Sequence, residues 1–347
     1  MSSNIVNNDI DINEKIQSAI DNTAVNTNAN TNDVETQTNE VHEKIEIITN
    51  DIINLTIPNP TTLVLSGGSV RGFGLLGAIS FLDELGALNK IKRYVATSVG
   101  AIISTLLSIG YSPFEIYNHV QSIRTFDKDE MIKMSNILSL ILFRGLYSVS
   151  KMLDPIYRMI HRKAGITETL KNIQEIYQKT LVFCTYDITN HRTVYLSPEN
   201  NPDMLVTDAL AMTCCLPLLF NAYEFQDAFY IDGGLADVFP IKWAIDHPQP
   251  QEEYILGINL QTPLKPTDNV IEYFYNLFSI PISILLHDAY EIAEKCPNVK
   301  IIDIDVENIS ILGYNVNQNK LFDIYDNGYQ QIKNQIGKIT KKLVGAR

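Results

Sequence analysis

The chain is poor in cysteine, in basic charge and in long apolar runs, and each shortage removes a class of protein. The four cysteines, Cys184, Cys214, Cys215 and Cys296, form no CxxC pair and lack the histidine spacing of a zinc site. Four in 347 residues are too few for a disulfide scaffold, and a bridge between the neighbours Cys214 and Cys215 would be strained. They read as small buried hydrophobes in a reducing compartment. Lys plus Arg number 27 against 40 Asp plus Glu, a formal charge of −13, which argues against a general basic grip on nucleic acid phosphates. The most apolar stretches, Met204–Phe220 and Phe274–Leu286, are interrupted by Asp208 and Pro217 or by Asn276 and Pro281, so neither gives a clean span of about 20 residues. No basic start followed by an apolar core opens the chain, where Ile5 and Val6 sit among Asn, Asp and Ser. With no signal peptide and no transmembrane helix expected, the address is intracellular, either cytoplasmic or peripherally membrane-associated. No calcium loop or other metal motif is present, and no metal or cofactor is expected.

The charge that is present is uneven. Residues 1–50 hold nine acidic and two basic side chains, so they carry −7 and the other 297 residues only −6. That first stretch is rich in Asn and Thr and has little to bury, which predicts a disordered tail. From residue 51 the texture turns globular, with 45% of the whole chain hydrophobic and 19% charged. Short apolar runs alternate with longer helical patterns, as in an α/β domain with a mainly parallel sheet. Strands are expected at Thr62–Leu65, Arg93–Thr97, Leu181–Tyr186, Thr193–Leu196, Phe229–Ile231, Tyr254–Asn259 and Lys300–Ile304. Helices are expected near Gly72–Leu85, Val99–Ser108, Pro113–Ile123, Ser150–His161, Thr167–Gln178, Pro240–Ile245, Ile271–Glu294 and Lys320–Leu343. No repeat or linker divides residues 51–347, so one domain is expected there.

Three short clusters carry chemistry. In LVLSGGSVRGFG a strand runs into Gly67, Gly68, Ser69, Val70, Arg71 and Gly72 and then a helix. Such a turn aims several backbone N–H groups one way and adds the partial positive charge of a helix start, which suits an anion. The anion could be a phosphate or an oxyanion formed in acyl transfer. The glycine spacing is not that of a dinucleotide fingerprint, and the Gly-Lys-Ser/Thr of a P-loop is absent. In the second cluster, Ala96-Thr97-Ser98-Val99-Gly100, a serine stands at a strand-to-helix turn, where its Oγ is exposed and the next N–H points to the same spot. The bland alternative is a helix N-cap. In the third, FYIDGGLADVFP, Asp232 ends a strand and Gly233 and Gly234 follow, leaving the carboxylate little covered; an ordinary turn is the alternative.

The order of these clusters resembles the patatin-like phospholipase family, whose pattern is an oxyanion loop G-G-G-x-[RK]-G, a nucleophile elbow G-x-S-x-G and a D-G-[GA] box. The resemblance runs from about Thr62 to Pro240, and the stretch Ala211–Phe220 is similar to the family's small-residue run ending in Pro and Phe. It implies a three-layer α/β/α patatin-like fold with a mainly parallel central sheet. It also implies that Ser98 is the nucleophile and Asp232 its base, in a Ser–Asp dyad. The Gly67–Gly72 turn would be the oxyanion loop, with the N–H groups of Gly68 and Ser69, joined by Val70, as the oxyanion hole. Two positions depart from the pattern: Ser69 occupies the third Gly of the loop and Ala96 the first Gly of the elbow. Backbone N–H donors survive both changes, although Ser69 could shift the loop.

The implied activity is that of a lipid acyl hydrolase, a phospholipase A-like serine esterase acting on phospholipid or another acyl lipid, with peripheral membrane contact. Two rivals stand beside it: a non-catalytic lipid- or protein-binding module on the same fold, and a phosphate-binding α/β protein. A Ser-His-Asp triad is formally available through His247 or His287, but neither lies in a loop just after a strand. Arg71 suits a lipid phosphate, the loop itself or a structural ion pair equally. Asn136–Tyr147 and Tyr273–Leu286 are apolar enough to line an acyl channel or touch a bilayer, with helix packing as the alternative.

Overall fold

The computed structural model describes residues 60–121, 145–165, 168–249, 254–261, 270–306 and 316–345. The expected tail at residues 1–50 and the stretch 136–144 lie outside the described residues. Strands β1 (Thr62–Leu65) and β2 (Arg93–Thr97) are buried at every residue. That is the pattern of parallel strands covered on both faces, and it explains why they read as continuous apolar runs rather than alternating ones. The remaining strands are β3 (Gly145–Tyr147), β4 (Thr180–Asp187), β5 (Arg192–Leu196), β6 (Leu218–Phe220), β7 (Tyr223–Phe225), β8 (Ala228–Asp232), β9 (Ile255–Gln261) and β10 (Val299–Asp305). The main sheet runs β10-β9-β1-β2-β4-β8-β7, with β5 also paired to β4. Neighbours from β10 to β4 are parallel, whereas β4–β5, β4–β8 and β8–β7 are antiparallel. β3 and β6 form a separate parallel pair.

β1 lies between β2, which follows it, and β9, which comes about 190 residues later. The strand order therefore reverses beside β1, and α/β sheets open a ligand crevice at the carboxyl ends of strands where this happens. The helices are α1 (Gly72–Glu84), α2 (Val99–Ser108), α3 (Pro113–Val120), α4 (Val149–Lys163), α5 (Leu170–Tyr177), α6 (Val206–Cys214), α7 (Ile241–Asp246), α8 (Val270–Glu294) and α9 (Gln318–Gly345).

Successive strand residues face opposite ways, and the core divides accordingly. Leu63, Leu65, Tyr94, Ala96, Leu181 and Phe183 join the larger core, which includes residues of α1, α2, α6 and α9. Val64, Val95 and Val182 pack on the other face with Phe239, Ile241, Ala244 and Ala289, from and beside α7 and α8. The result is the three-layer α/β/α arrangement expected. On the larger face α1 and α9 touch backbone to backbone: a methyl group at Gly77 would fall 1.8 Å from the Tyr325 carbonyl oxygen, and one at Gly328 2.0 Å from that of Gly74. Tyr325 and Tyr329 reinforce the contact by donating to Ser80 Oγ at 2.6 Å and Glu84 Oε2 at 2.7 Å.

Thr62–Leu65, Arg93–Thr97 and Val99–Ser108 are found with the bounds expected, and the other expected strands and helices are present with shifted ends. Unexpected are helix α6 and the short strands β3, β6 and β7.

Candidate active site

β2 delivers the chain to Ser98 at the carboxyl edge of the sheet, and α2 begins at the next residue. Between the two, Ser98 adopts φ 53° and ψ −122°. A non-glycine residue held there stores on the order of 1–3 kcal/mol of backbone strain, so its surroundings must over-determine it. They do so on both sides. The Ser98 N–H donates to Thr213 Oγ1 at 3.0 Å, and the Thr213 hydroxyl donates onward to the Cys184 carbonyl at 2.6 Å. The Ser98 carbonyl accepts from Ala101 and Ile102 in the first turn of α2. Gly100 lets that turn sit on the end of β1, because a methyl group there would lie 2.7 Å from the Leu65 and Ser66 carbonyl oxygens. Ala96, at the other departure from the resembled pattern, is fully buried between Leu65 and Phe183 of the neighbouring strands.

Asp232 reaches the same point from β8, where it pairs with Thr185 of β4 and donates its N–H to the Cys215 carbonyl at 3.0 Å. Its carboxylate accepts from Ser98 Oγ at 2.7 Å through Oδ2 and from the Gly234 N–H at 2.7 Å through Oδ1. Gly233 permits this close turn, since a methyl group on it would fall 2.2 Å from the Cys184 carbonyl oxygen. Burial pushes the Asp232 carboxyl up to about 6, while the bonds from Ser98 and Gly234 pull in the opposite direction. Cys214, the next residue after Thr213, is buried, and burial with the nearby Asp232 carboxylate pushes its thiol far up, so it stays protonated. Cys184 and Cys215 are likewise buried and free.

The Gly67–Gly72 turn lies along this pair. A methyl group at Gly67 would be 3.4 Å from Ser98 Cβ, and one at Gly72 2.4 Å from Val99 Cγ2. Its first residue is pinned by the Gly67 N–H donating to the Val238 carbonyl at 2.8 Å. Ser69–Arg71 then makes a single tight turn in which the Arg71 N–H bonds Gly68 O and the Gly72 N–H bonds Ser69 O. Gly67, Arg71 and Gly72 thus spend their N–H groups inside the fold. Among the described residues, none accepts from the N–H groups of Gly68, Ser69 or Val70. Ser69 stands at φ 56°, in the left-handed region that favours glycine, and its Oγ is buried without a partner. Arg71 is 5% exposed; its Nε donates to the Gly68 carbonyl at 3.1 Å, while Nη1 has no partner. Burial alone pulls the guanidinium down to about 10.

The two histidines of the triad alternative lie elsewhere. His247 stacks on Trp243, and its carbonyl accepts from Arg93 at the far end of β2 from Ser98. His287 is exposed and faces Glu291 across 3.4 Å. Thr213 is a supporting residue outside the three motifs; it lies in the small-residue run before the Asp box, but nothing in that run marks one hydroxyl as the support of a backbone 115 residues away. Among the described residues no cluster of three or more His, Cys, Asp or Glu is placed to hold a metal ion. No described helix is long and apolar enough to cross a membrane.

Residues 63–245, just over half of the chain, match the patatin-like phospholipase family. The chain is 32% identical over 201 residues to a probable lipid hydrolase of Invertebrate iridescent virus 6, a match covering 54% of this chain and 63% of that one. It therefore spans slightly less than two thirds of that relative's length. An uncharacterised protein of Acanthamoeba polyphaga mimivirus is 28% identical over 289 residues, covering 80% and 94% of the two chains. Among solved structures, VipD from Legionella pneumophila superposes with a TM-score of 0.48 at 15% identity, over 81% of this chain and 67% of the other.

Proposed function

We propose that this chain, which belongs to the patatin-like phospholipase family, hydrolyses fatty acyl esters of phospholipids or similar lipids through an acyl-Ser98 intermediate, with Asp232 as the only general base. The observation that carries this reading is the 2.7 Å hydrogen bond from Ser98 Oγ to a carboxylate 2% exposed, at a serine held in an elbow backbone.

Asp232 takes the hydroxyl proton as Ser98 Oγ attacks the ester carbonyl, and the carbonyl π electrons move onto oxygen. The tetrahedral oxyanion is held by the N–H groups of Gly68 and Ser69, joined by Val70, each worth about 3–4 kcal/mol in the transition state. The intermediate collapses, the carbon–oxygen bond to the leaving alcohol breaks, and the Asp232 carboxyl returns the proton to that alcohol. Water then attacks the acyl ester, giving its proton to Asp232; the fatty acid leaves, and Ser98 recovers its proton. A carboxylate with its pKa near 6 suits this work, being largely ionised at neutral pH yet basic enough to accept a proton.

The test compares the wild type with Ser98→Ala and Asp232→Asn on mixed phospholipid vesicles. Wild type should release fatty acid and label with a fluorophosphonate; both variants should lose at least about 10⁴-fold in release. Equal release from all three proteins would overturn the dyad. A folded wild type that neither labels nor releases acid would favour a binding module on the same fold.

A further inference from the structure

Helix α8 is much longer than the strands it connects. Its 25 residues extend about 37 Å, whereas the seven-residue strands β9 and β10 on either side of it span about 23 Å each. A helix joining the end of one strand to the start of its parallel neighbour runs back along the sheet, so the first residues of α8 lie at the carboxyl edge, the edge of Ser98. Tyr290 fixes the level. Its hydroxyl donates to Asp303, and Asn259 donates to that hydroxyl at 2.9 Å; these two residues pair with each other as the fifth residues of β10 and β9. Beyond that level the strands have two residues left, while twenty residues of α8 precede Tyr290. The helix therefore overhangs the sheet by about 20 Å at the active-site edge. Its contacts include the Gly233–Leu235 turn that follows Asp232.

The overhang carries an apolar face that stays partly exposed among the described residues. Tyr273, Leu277, Ile280 and Ile284 recur at helical spacing and, with Leu285, are 41–59% exposed. From Tyr273 to Leu286 the sequence has no charged residue. Ala289 and Ala293, further along the same helix, are buried, so the exposed stripe belongs to the overhanging part.

We propose that the α8 overhang is the surface by which this protein docks on a lipid bilayer, its apolar stripe inserted among the acyl chains beside the mouth of the Ser98 site. The inference rests on the acyl-lipid reading of that site. The five described side chains of the stripe, at their fractional exposures, offer about 500 Å², short of the about 800 Å² per partner that a stable interface with a second copy needs. Its lack of charge specifies the lipid: attachment comes from apolar insertion, is met by zwitterionic phosphatidylcholine, and resists salt.

The experiment is flotation of the full chain with phosphatidylcholine vesicles at low and high salt, carried out in Ser98→Ala protein so that binding is read without turnover. Adding Ile280→Glu and Ile284→Glu together should weaken partitioning at least about tenfold, with wild-type behaviour equal at both salt levels. In otherwise active protein the same pair should lower fatty acid release from vesicles while turnover of a soluble short-chain ester stays within about twofold. As an independent readout, Tyr273→Trp should gain a blue-shifted emission on vesicles, above the constant signal of Trp243. Unchanged partitioning of the paired variant, loss of binding in high salt, or a wild-type dimer that the pair converts to monomer would each overturn the docking surface. If soluble-ester turnover is absent in the wild type while the stripe still governs flotation, the catalytic reading fails and the surface stands.

Discussion

The elbow at Ser98 and the loop at Gly67–Gly72 lie against each other, yet they treat hydrogen bonding in opposite ways. At the elbow each polar group has a partner: Ser98 N–H with Thr213, Ser98 Oγ with Asp232, and the other carboxylate oxygen with Gly234. In the loop, three N–H groups, the Ser69 hydroxyl and one end of the Arg71 guanidinium have none among the described residues. Unsatisfied donors in a sheltered position cost free energy, about 1–3 kcal/mol for each buried group. The difference teaches a division of labour. In the proposed mechanism the elbow would hold the groups that must be placed before reaction starts, whereas the loop would keep donors open for charge that exists only during it.

The largest expected effect breaks the elbow side. Gly233→Ala puts a methyl group where the Cys184 carbonyl oxygen stands 2.2 Å away, so the turn must move and carry Asp232 with it. Fatty acid release should fall at least about a hundredfold, and wild-type rates in a folded Gly233→Ala protein would show that the close turn is dispensable.

Next comes the protonation of Asp232, the proposed base. With the Asp232 carboxyl at about 6, turnover of a soluble ester should fall tenfold per pH unit below that value, reaching about a hundredfold near pH 4. The stability effect has the opposite sense. A carboxyl whose folded pKa is raised contributes stability that is full below its ordinary value of 3.8 and lost as pH rises through about 6. Asp232→Asn should therefore be more stable than wild type above pH 6, by on the order of 3 kcal/mol, and melt higher. A lower melting temperature for that variant would mean that burial does not dominate the site.

A smaller effect separates support from chemistry. Thr213→Val removes the acceptor of the Ser98 N–H and the donor to Cys184 O; fluorophosphonate labelling should slow by about 10- to 50-fold, and Thr213→Ser should restore it. Labelling at the wild-type rate would place the restraint on Ser98 elsewhere. The smallest effect tests the loop. Ser69→Gly relieves a left-handed residue, worth about 1 kcal/mol, and should leave fatty acid release within about threefold because the N–H remains. A loss beyond tenfold would transfer the oxyanion contact from that N–H to the Ser69 hydroxyl.

What was legible in the sequence divides along similar lines. β1, β2 and the start of α2 could be read because buried parallel strands leave unbroken apolar runs, and glycine or serine marks where they end. The Ser98, Asp232 and Gly67–Gly72 clusters could be read because each is contiguous. Helix α6 could not, since its small residues Ala209, Ala211 and Thr213 suit a tight interior fit and give little amphipathic signal. The role of Thr213 depends on a contact 115 residues distant, and β3 with β6 is a three-residue pairing held across a gap in sequence. The exposed half of α8 reads as an apolar stretch, but sequence alone does not separate a packed helix from an exposed one.

The glycine seam between α1 and α9 is a contact between distant parts of the chain, and loop-closure entropy predicts that it forms late. The elbow's strand pairs with β1 across 31 residues, whereas Ser80 meets Tyr325 across 245. Closing the longer loop costs more chain entropy and comes with the slow, non-local stage of folding. A half-folded chain would thus possess Ser98, the proposed nucleophile, while the helix that follows the proposed oxyanion loop is still unseated, and the arrival of α9 would then complete the site.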